Sequence, residues 1–271
     1  MDTEIKQEVS ELQQTGQQQT PPAQKSGQLS SEAEKYKQEL EYFVYIISHD
    51  LKAPLRGINT IAKWMLEDYA DKIDDNGKEQ MNLLLSRVQR LNNLIEGVLQ
   101  YSRVGRIKEG PVPINLNELV PDVIQRLAPP ENIKVTVECE LPTIVSERTR
   151  ITQVFENLIG NAVRFMDKPE GQVKVDCIEQ DGFWKFSITD NGPGIEEKDY
   201  ERIFKMFQTL APRDEVETVG AGLTITKKIV EVYDGEIWIE SKPGYGSTFY
   251  FTLPKRELGA QNEEHKADTS G

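Results

Sequence analysis

The sequence predicts an α + α/β molecule: a two-helix hairpin that pairs with a second copy as a four-helix bundle, followed by an α/β sandwich. Three observations predict it. From about residue 34 to residue 106 apolar residues recur at helical steps, interrupted once by turn chemistry. A Gly/Pro-containing connector follows, "GRIKEGPVPINL". Beyond it, alternating apolar runs interleave with amphipathic ones over short links, the pattern of one mixed sheet with helices on one face.

Residues 1–34 carry a Gln, Ser, Thr and Pro bias and few apolar groups, which predicts a disordered tail. The hairpin is expected over 35–108. Its first helix runs from about Glu34 to Tyr69, and "DYADKIDDNGK" makes the turn. The second runs from about Asn76 to Arg106, where Met81, Leu84, Val88, Leu91, Ile95 and Val98 alternate steps of three and four. That is a heptad seam, and a lone hairpin has little to bury it against, which is the argument for a homodimer.

The α/β part is expected over 109–255. "IKVTVECEL", "FWKFSITD", "EIWIES" and "TFYFTLP" alternate as half-buried strands, while "RTRITQVFENLIGNAVRF" and "LTITKKIVEVY" read as amphipathic helices. Residues 256–271 read as a second disordered tail, with His265 solvated in it.

The totals narrow the function. The chain has 271 residues and a formal net charge of −13, which argues against a nucleic-acid backbone binder. Cys139 and Cys177 lie in apolar-alternating segments and read as small core residues, with no disulfide framework or zinc spacing. No apolar run is long enough for a membrane span and no secretory signal is visible, so the expectation is a cytoplasmic protein.

Four segments could carry chemistry. In "YFVYIISHDLKAPLRGI", residues 42–58, His49 sits in an apolar helical run and reads as buried, with Asp50 beside it and Pro54 five positions on. Pro54 has no N–H for the carbonyl of Asp50, which predicts a kink there. Gln153, Asn157, Asn161 and Arg164 form one helix stripe that can offer amide oxygens to a hard cation and a guanidinium to phosphate. Taken alone, the stripe reads as a solvated face.

In "SITDNGPGI" a strand ends on Asp190 and runs into Gly192 and Gly194, which suits a carboxylate accepting from an amine beside backbone that a flat base can approach. Taken alone, those residues read as an ordinary Asx turn closing a strand. Gly220 and Gly222 enter a helix whose free N–H groups suit an anion, and "ERIFKMFQTLAPRDEVET" before them resembles a hinged loop with an aromatic clip.

In this order the segments resemble the sensor histidine kinases of two-component signalling. "SHDLKAPL" matches the phosphoacceptor box, "NLIGNA" the Asn box, "DNGPGI" and "GAGLTI" the two Gly boxes, "IFKMF" the Phe box and "GYGSTFYFTLP" the closing strand. The wording "HDLKAPLRGI" and "FQTLAPRDE" is closest to the phytochrome-type branch.

The resemblance, over roughly residues 35–254, implies a dimerisation and His-phosphotransfer hairpin and a Bergerat-type ATP-binding domain. It implies His49 as phosphoacceptor, with Asp50 holding or accepting the ring proton, and Asp190 on the adenine amine with Thr248 near the base. Asn157 and Asn161 would face Mg²⁺ and the phosphates, Asn161 as the metal ligand, and Arg164 would meet phosphate. Gly192 and Gly194 would border the base, and Gly220 and Gly222 would sit in the ATP lid. The phosphoryl group would pass to an aspartate on the receiver domain of a separate response regulator, with input from a sensory protein in trans.

Two departures stand out. Ala53 occupies the place where relatives with phosphatase activity carry Thr or Asn, which implies a weak phosphatase. Thr218 replaces the first lid glycine, which implies a stiffer lid. The rival readings are a dimeric adaptor that binds a response regulator on a dead nucleotide fold, a Ser/Thr kinase on the same fold, and a gyrase- or chaperone-like clamp.

Overall fold

A computed structural model describes residues 22–104, 110–210 and 220–256. Thr218, His265 and most of both tails lie outside the described residues. The chain divides into two compact units whose boundary falls inside the first helix, between Ile47 and Ser48.

Helix α1 spans Pro22–Asp68. It begins ahead of the expected boundary at residue 35, so residues 22–34 are helical rather than disordered. Ala23, Gln24, Lys25, Glu32 and Ala33 are good helix formers, and a proline is tolerated in a first turn. Within the first unit Tyr36, Leu40, Phe43 and Ile47 are exposed at steps of three and four.

In the second unit α1 passes through Pro54 without a break in the helix. Helix α2 spans Asp75–Arg103 and starts on Asp74, whose side chain accepts from the Gly77 N–H at 2.7 Å. Leu84 and Leu91 of the heptad seam are exposed, while Val88 is buried. Among the described residues, no helix is long and apolar enough to cross a membrane.

The α/β part adds strands β1 (Val112–Asn115), β2 (Ile133–Val137), β3 (Thr143–Ser146), β4 (Gly171–Gln180), β5 (Phe183–Asp190), β6 (Ile237–Lys242) and β7 (Gly246–Pro254). Helices α3 (Leu116–Leu127), α4 (Arg148–Arg164) and α5 (Gly222–Val232) accompany them. The main sheet has the order β2-β4-β5-β7-β6, parallel between β2 and β4 and antiparallel elsewhere. A second small sheet pairs β1 with β3. Residues expected as connector, Val112–Asn115, therefore form a strand: the β3 partner supplies what the Pro113-containing sequence does not advertise.

The three α/β helices pack on one sheet face. Ile151, Val154, Phe155 and Leu158 of α4 and Ile225 and Ile229 of α5 are buried against Phe186, Ile188, Phe249 and Phe251. Phe155 meets Phe186 and Phe251 edge-on, at centroid distances of 5.7 and 5.6 Å, and those two rings stack at 4.8 Å. Such ring pairs add roughly 0.5–1.5 kcal/mol each beyond the burial itself. This core fixes α4 over the ends of β5 and β7, where the chemistry-bearing residues converge.

Candidate active site

A cleft of about 800 Å³ opens at that place. Asn157, Asn161 and Arg164 line it from α4, and Asp190 and Gly194 from the end of β5 and its loop. Gly220 and Gly222 close it at the start of α5. Seven residues from three separate sequence segments thus share one cavity.

Asp190 is held by its backbone surroundings. Its Oδ1 accepts from the Gly192 N–H at 2.8 Å and from the Ser247 N–H at 3.3 Å. Burial pushes its carboxyl above the usual range; Asp167 adds to the rise and the two N–H groups oppose it. With Oδ1 occupied from the backbone, Oδ2 is the acceptor left for a ligand. Gly246, at φ 111°, lets β7 come this close, since a Cβ there would stand 2.0 Å from the carbonyl of Asp190. Behind it, Ser241 Oγ lies 2.8 Å from Ser247 Oγ, and Tyr200 both donates to and accepts from the Ser241 backbone.

On α4, Asn157 donates to the Gly222 carbonyl at 3.2 Å and to Thr226 Oγ1 at 3.1 Å, so it ties the start of α5 to the cleft wall. Asn161, one turn on, opens its side chain on the cavity, and Arg164 is exposed at the rim. An amide carbonyl at that position is a hard oxygen donor. It suits a cation that takes most of its ligands from phosphate and water.

Two of the residues expected to bind ATP fall outside the lining. Gly192 serves the site through its N–H to Asp190. Thr248 faces the other side of the sheet, where its Oγ1 lies 3.1 Å from Thr189 Oγ1. Strand alternation gives its neighbour Ser247 the inward position, and Ser247 lines the cleft in its place.

The sequence reading also missed a fourth wall. Glu96, Gly97 and Gln100 of α2 line the cleft from the hairpin side. Gly97 allows the approach: a Cβ there would stand 2.9 Å from the Ala221 Cβ. Lys228 of α5 donates to the Tyr101 carbonyl at 2.8 Å, and Arg150 of α4 donates to the Arg103 carbonyl at 2.7 Å.

His49 and Asp50 lie on α1 and do not line the cleft. The ring, expected as buried, is exposed: the two side chains are 71% and 73% accessible. An apolar run reads as core, but in this helix the apolar neighbours Ile46, Ile47 and Leu51 are themselves exposed. His49 Nδ1 lies 3.2 Å from Asp50 Oδ1, leaving Nε2 directed outward.

Residues 39–106 match the His Kinase A (phospho-acceptor) domain family, and residues 146–257 match the histidine kinase-, DNA gyrase B-, and HSP90-like ATPase family. The chain belongs to the sensor histidine kinases. Cyanobacterial phytochrome B of Nostoc sp. (strain PCC 7120 / SAG 25.82 / UTEX 2576) is 41% identical over 236 residues, which cover 85% of this chain and 31% of that one. This places the histidine kinase in the phytochrome-like branch.

Full-length ShkA, solved in complex with AMPPNP, has a TM-score of 0.60 at 26% identity, covering 78% of this chain and 45% of its own. ThkA, solved in complex with the response regulator protein TrrA, has a TM-score of 0.54 at 26% identity, covering 84% and 66%. The chain spans about a third of the length of the first curated relatives it matches. In this histidine kinase His49 falls inside the phospho-acceptor match, and Asn157, Asp190 and Gly222 inside the ATPase match.

Proposed function

We propose that this chain is an ATP-dependent protein-histidine kinase that phosphorylates His49 and passes the phosphoryl group to an aspartate on a separate response regulator. The observation that carries the reading is the exposed His49 ring, with Nδ1 against Asp50 and Nε2 outward, in a chain that also forms the Asp190 cleft.

Asp190 accepts from the adenine amine through Oδ2, with Gly192 and Gly194 keeping the loop backbone beside the base. Asn157 holds the start of α5, whose free N–H groups and dipole, at Gly220 and Gly222, favour phosphate. Asn161 offers its amide oxygen to Mg²⁺, and Arg164 faces the phosphates from the rim. The cation supplies charge neutralisation on the transferring group.

At His49, Asp50 holds the Nδ1–H tautomer, so the Nε2 lone pair attacks phosphorus in line. The Nε2–P bond forms as the bond to the bridging oxygen breaks, ADP leaves with that electron pair, and the Nδ1 proton passes to Asp50. Pro54 leaves the Asp50 carbonyl without its helix donor, which makes α1 bendable beside the acceptor. ATP as phosphoryl donor supports a cytoplasmic site of action.

The exposed Leu84 and Leu91 on the heptad seam support a homodimeric four-helix bundle. ThkA's complex with a response regulator supports a receiver domain as phosphoryl acceptor here. Ala53, exposed one turn after His49, carries no group to orient a water, which supports weak phosphatase activity.

Incubation of the chain with radiolabelled ATP and Mg²⁺ tests the proposal. An acid-labile, alkali-stable label is expected on the native chain and none on His49→Gln, with ATP binding retained by both. A chain that binds nucleotide and stays unlabelled would instead be a response-regulator adaptor.

A further inference from the structure

We propose that Lys52 is the cation that meets the phosphoryl group arriving at His49, and that Glu96 is the positioning residue that holds it there. The inference rests on the kinase reading and names a part of the transfer machinery that the cleft and His49 leave open.

Three observations carry it. Lys52 follows His49 by three residues on α1, so the two share a helix face with Cβ atoms roughly 5–6 Å apart. The Lys52 Nζ donates to Glu96 Oε2 across the hairpin. Glu96 itself lines the nucleotide cleft, next to Gly97, where α2 and the start of α5 come closest. The ammonium therefore bridges the acceptor's own helix turn and the cleft wall.

Transfer places a doubly charged group on an exposed ring whose sequence neighbour is a carboxylate. Asp50 suits the Nδ1 proton but repels phosphoryl oxygens, so the reaction gains from a positive charge on the same face. Lys52 fits that need: an ammonium is a compact point charge with rotatable donors. In the transfer itself the Nε2–P bond forms, the phosphorus–bridging oxygen bond breaks toward ADP, and Asp50 takes the Nδ1 proton. Lys52 exchanges one Glu96 oxygen for a phosphoryl oxygen.

The pair is built for exchange rather than for stability. The Lys52 and Glu96 side chains are 30% and 46% accessible, and ion pairs this wet contribute little to folding. A purely structural tie would sit in a drier place.

The test compares native chain, Lys52→Gln, Lys52→Arg, Glu96→Gln and the Lys52→Gln/Glu96→Gln double variant, each as full chain with Mg²⁺ and ATP. Initial labelling rates are measured against ATP concentration, with melting temperature and binding of a fluorescent ATP analogue alongside. Lys52→Gln is expected to cut the maximal rate by about tenfold or more with half-saturation by ATP within about twofold, since the lost interaction forms only in the transfer step. Lys52→Arg keeps most of the rate. Glu96→Gln cuts it by a few-fold, roughly two to five, and adds nothing to Lys52→Gln, as expected of two residues acting as a unit.

Native-rate labelling by Lys52→Gln overturns the inference, as does a loss seen only in half-saturation or melting. A Glu96→Gln loss that multiplies with that of Lys52→Gln overturns the positioning role. An unlabelled native chain strikes the kinase reading first and this one with it, so the two failures are told apart by the native control.

Discussion

Phe207 donates its backbone N–H to the carbonyl of Gly220 at 3.0 Å, and this bond closes the base of the segment between them. Both residues have positive φ, 64° and 68°, and a Cβ on Gly220 would stand 2.2 Å from the Gln208 carbonyl oxygen. The clip works because position 220 has no side chain. Gly220→Ala should therefore open it and move the cleft edge, weakening ATP binding by about tenfold or more, from strain of order 1–3 kcal/mol. Titration with a fluorescent ATP analogue checks this; unchanged affinity would show that the clip does not shape the site.

Asp190→Asn should weaken ATP binding by about tenfold to a hundredfold, the cost of setting a donor against a donor. The amide oxygen will keep the Gly192 and Ser247 N–H bonds, which leaves the NH₂ group where Oδ2 now faces the ligand. The same titration decides it, and an ATP affinity equal to the native one would remove Asp190 from adenine recognition.

The same substitution should change the pH dependence of stability. Asp190 has a carboxyl pushed upward by burial, so its protonated form is favoured in the folded state. Its favourable contribution is complete below the ordinary carboxylate range and is lost as pH rises through the raised folded value. Asparagine does not titrate. The melting temperature of Asp190→Asn relative to native chain should therefore rise as pH is raised upward from the ordinary carboxylate range. A difference that stays flat over that rise would contradict the burial argument.

Ser247 and Thr248 should part company when each is replaced by valine. Ser247 is buried in the cleft wall and bonded to Ser241, so Ser247→Val crowds the site and lowers ATP affinity. Thr248→Val loses a bond to Thr189 on the far face, costing about 1 kcal/mol of stability or less and no affinity. Equal affinity losses would mean that the far face also reaches the nucleotide.

Ala53→Thr should raise dephosphorylation of a phosphorylated response regulator while leaving His49 labelling within about twofold, because the exposed position gains a hydroxyl able to orient water. A receiver-domain phosphatase assay reads it directly, and no gain would set aside the proposed reason for weak phosphatase activity.

The sequence was most readable where periodicity and spacing act locally. The stripe Asn157, Asn161, Arg164 follows from 3.6-residue repetition, and α4 carries it as expected. The long strands β5 and β7 alternate visibly, as their buried Phe186, Ile188, Phe249 and Phe251 show.

Legibility failed where a partner decides. Strand β1 is four residues containing Pro113 and exists through β3. Thr248 was placed by its motif, whereas counting the strand's two faces from Phe249 and Phe251 would have chosen Ser247. Glu96, Gly97 and Gln100 belong to a hairpin pattern that says nothing of a cavity; only the packing of α2 on α5 brings them there.

Two of the bonds that fasten α4 and α5 to the hairpin end on main-chain oxygens, those of Tyr101 and Arg103. A carbonyl is present whatever residue carries it. Those two bonds therefore sense where the second helix stops, whereas Gly97, the Tyr101 ring under Lys228 and Gln100 against Gln153 tie the joint to particular side chains. Hairpin positions outside those contacts can change while the two main-chain grips stay the same. An insertion or deletion of one residue before Tyr101 would turn those oxygens by about 100° and undo what many substitutions could not.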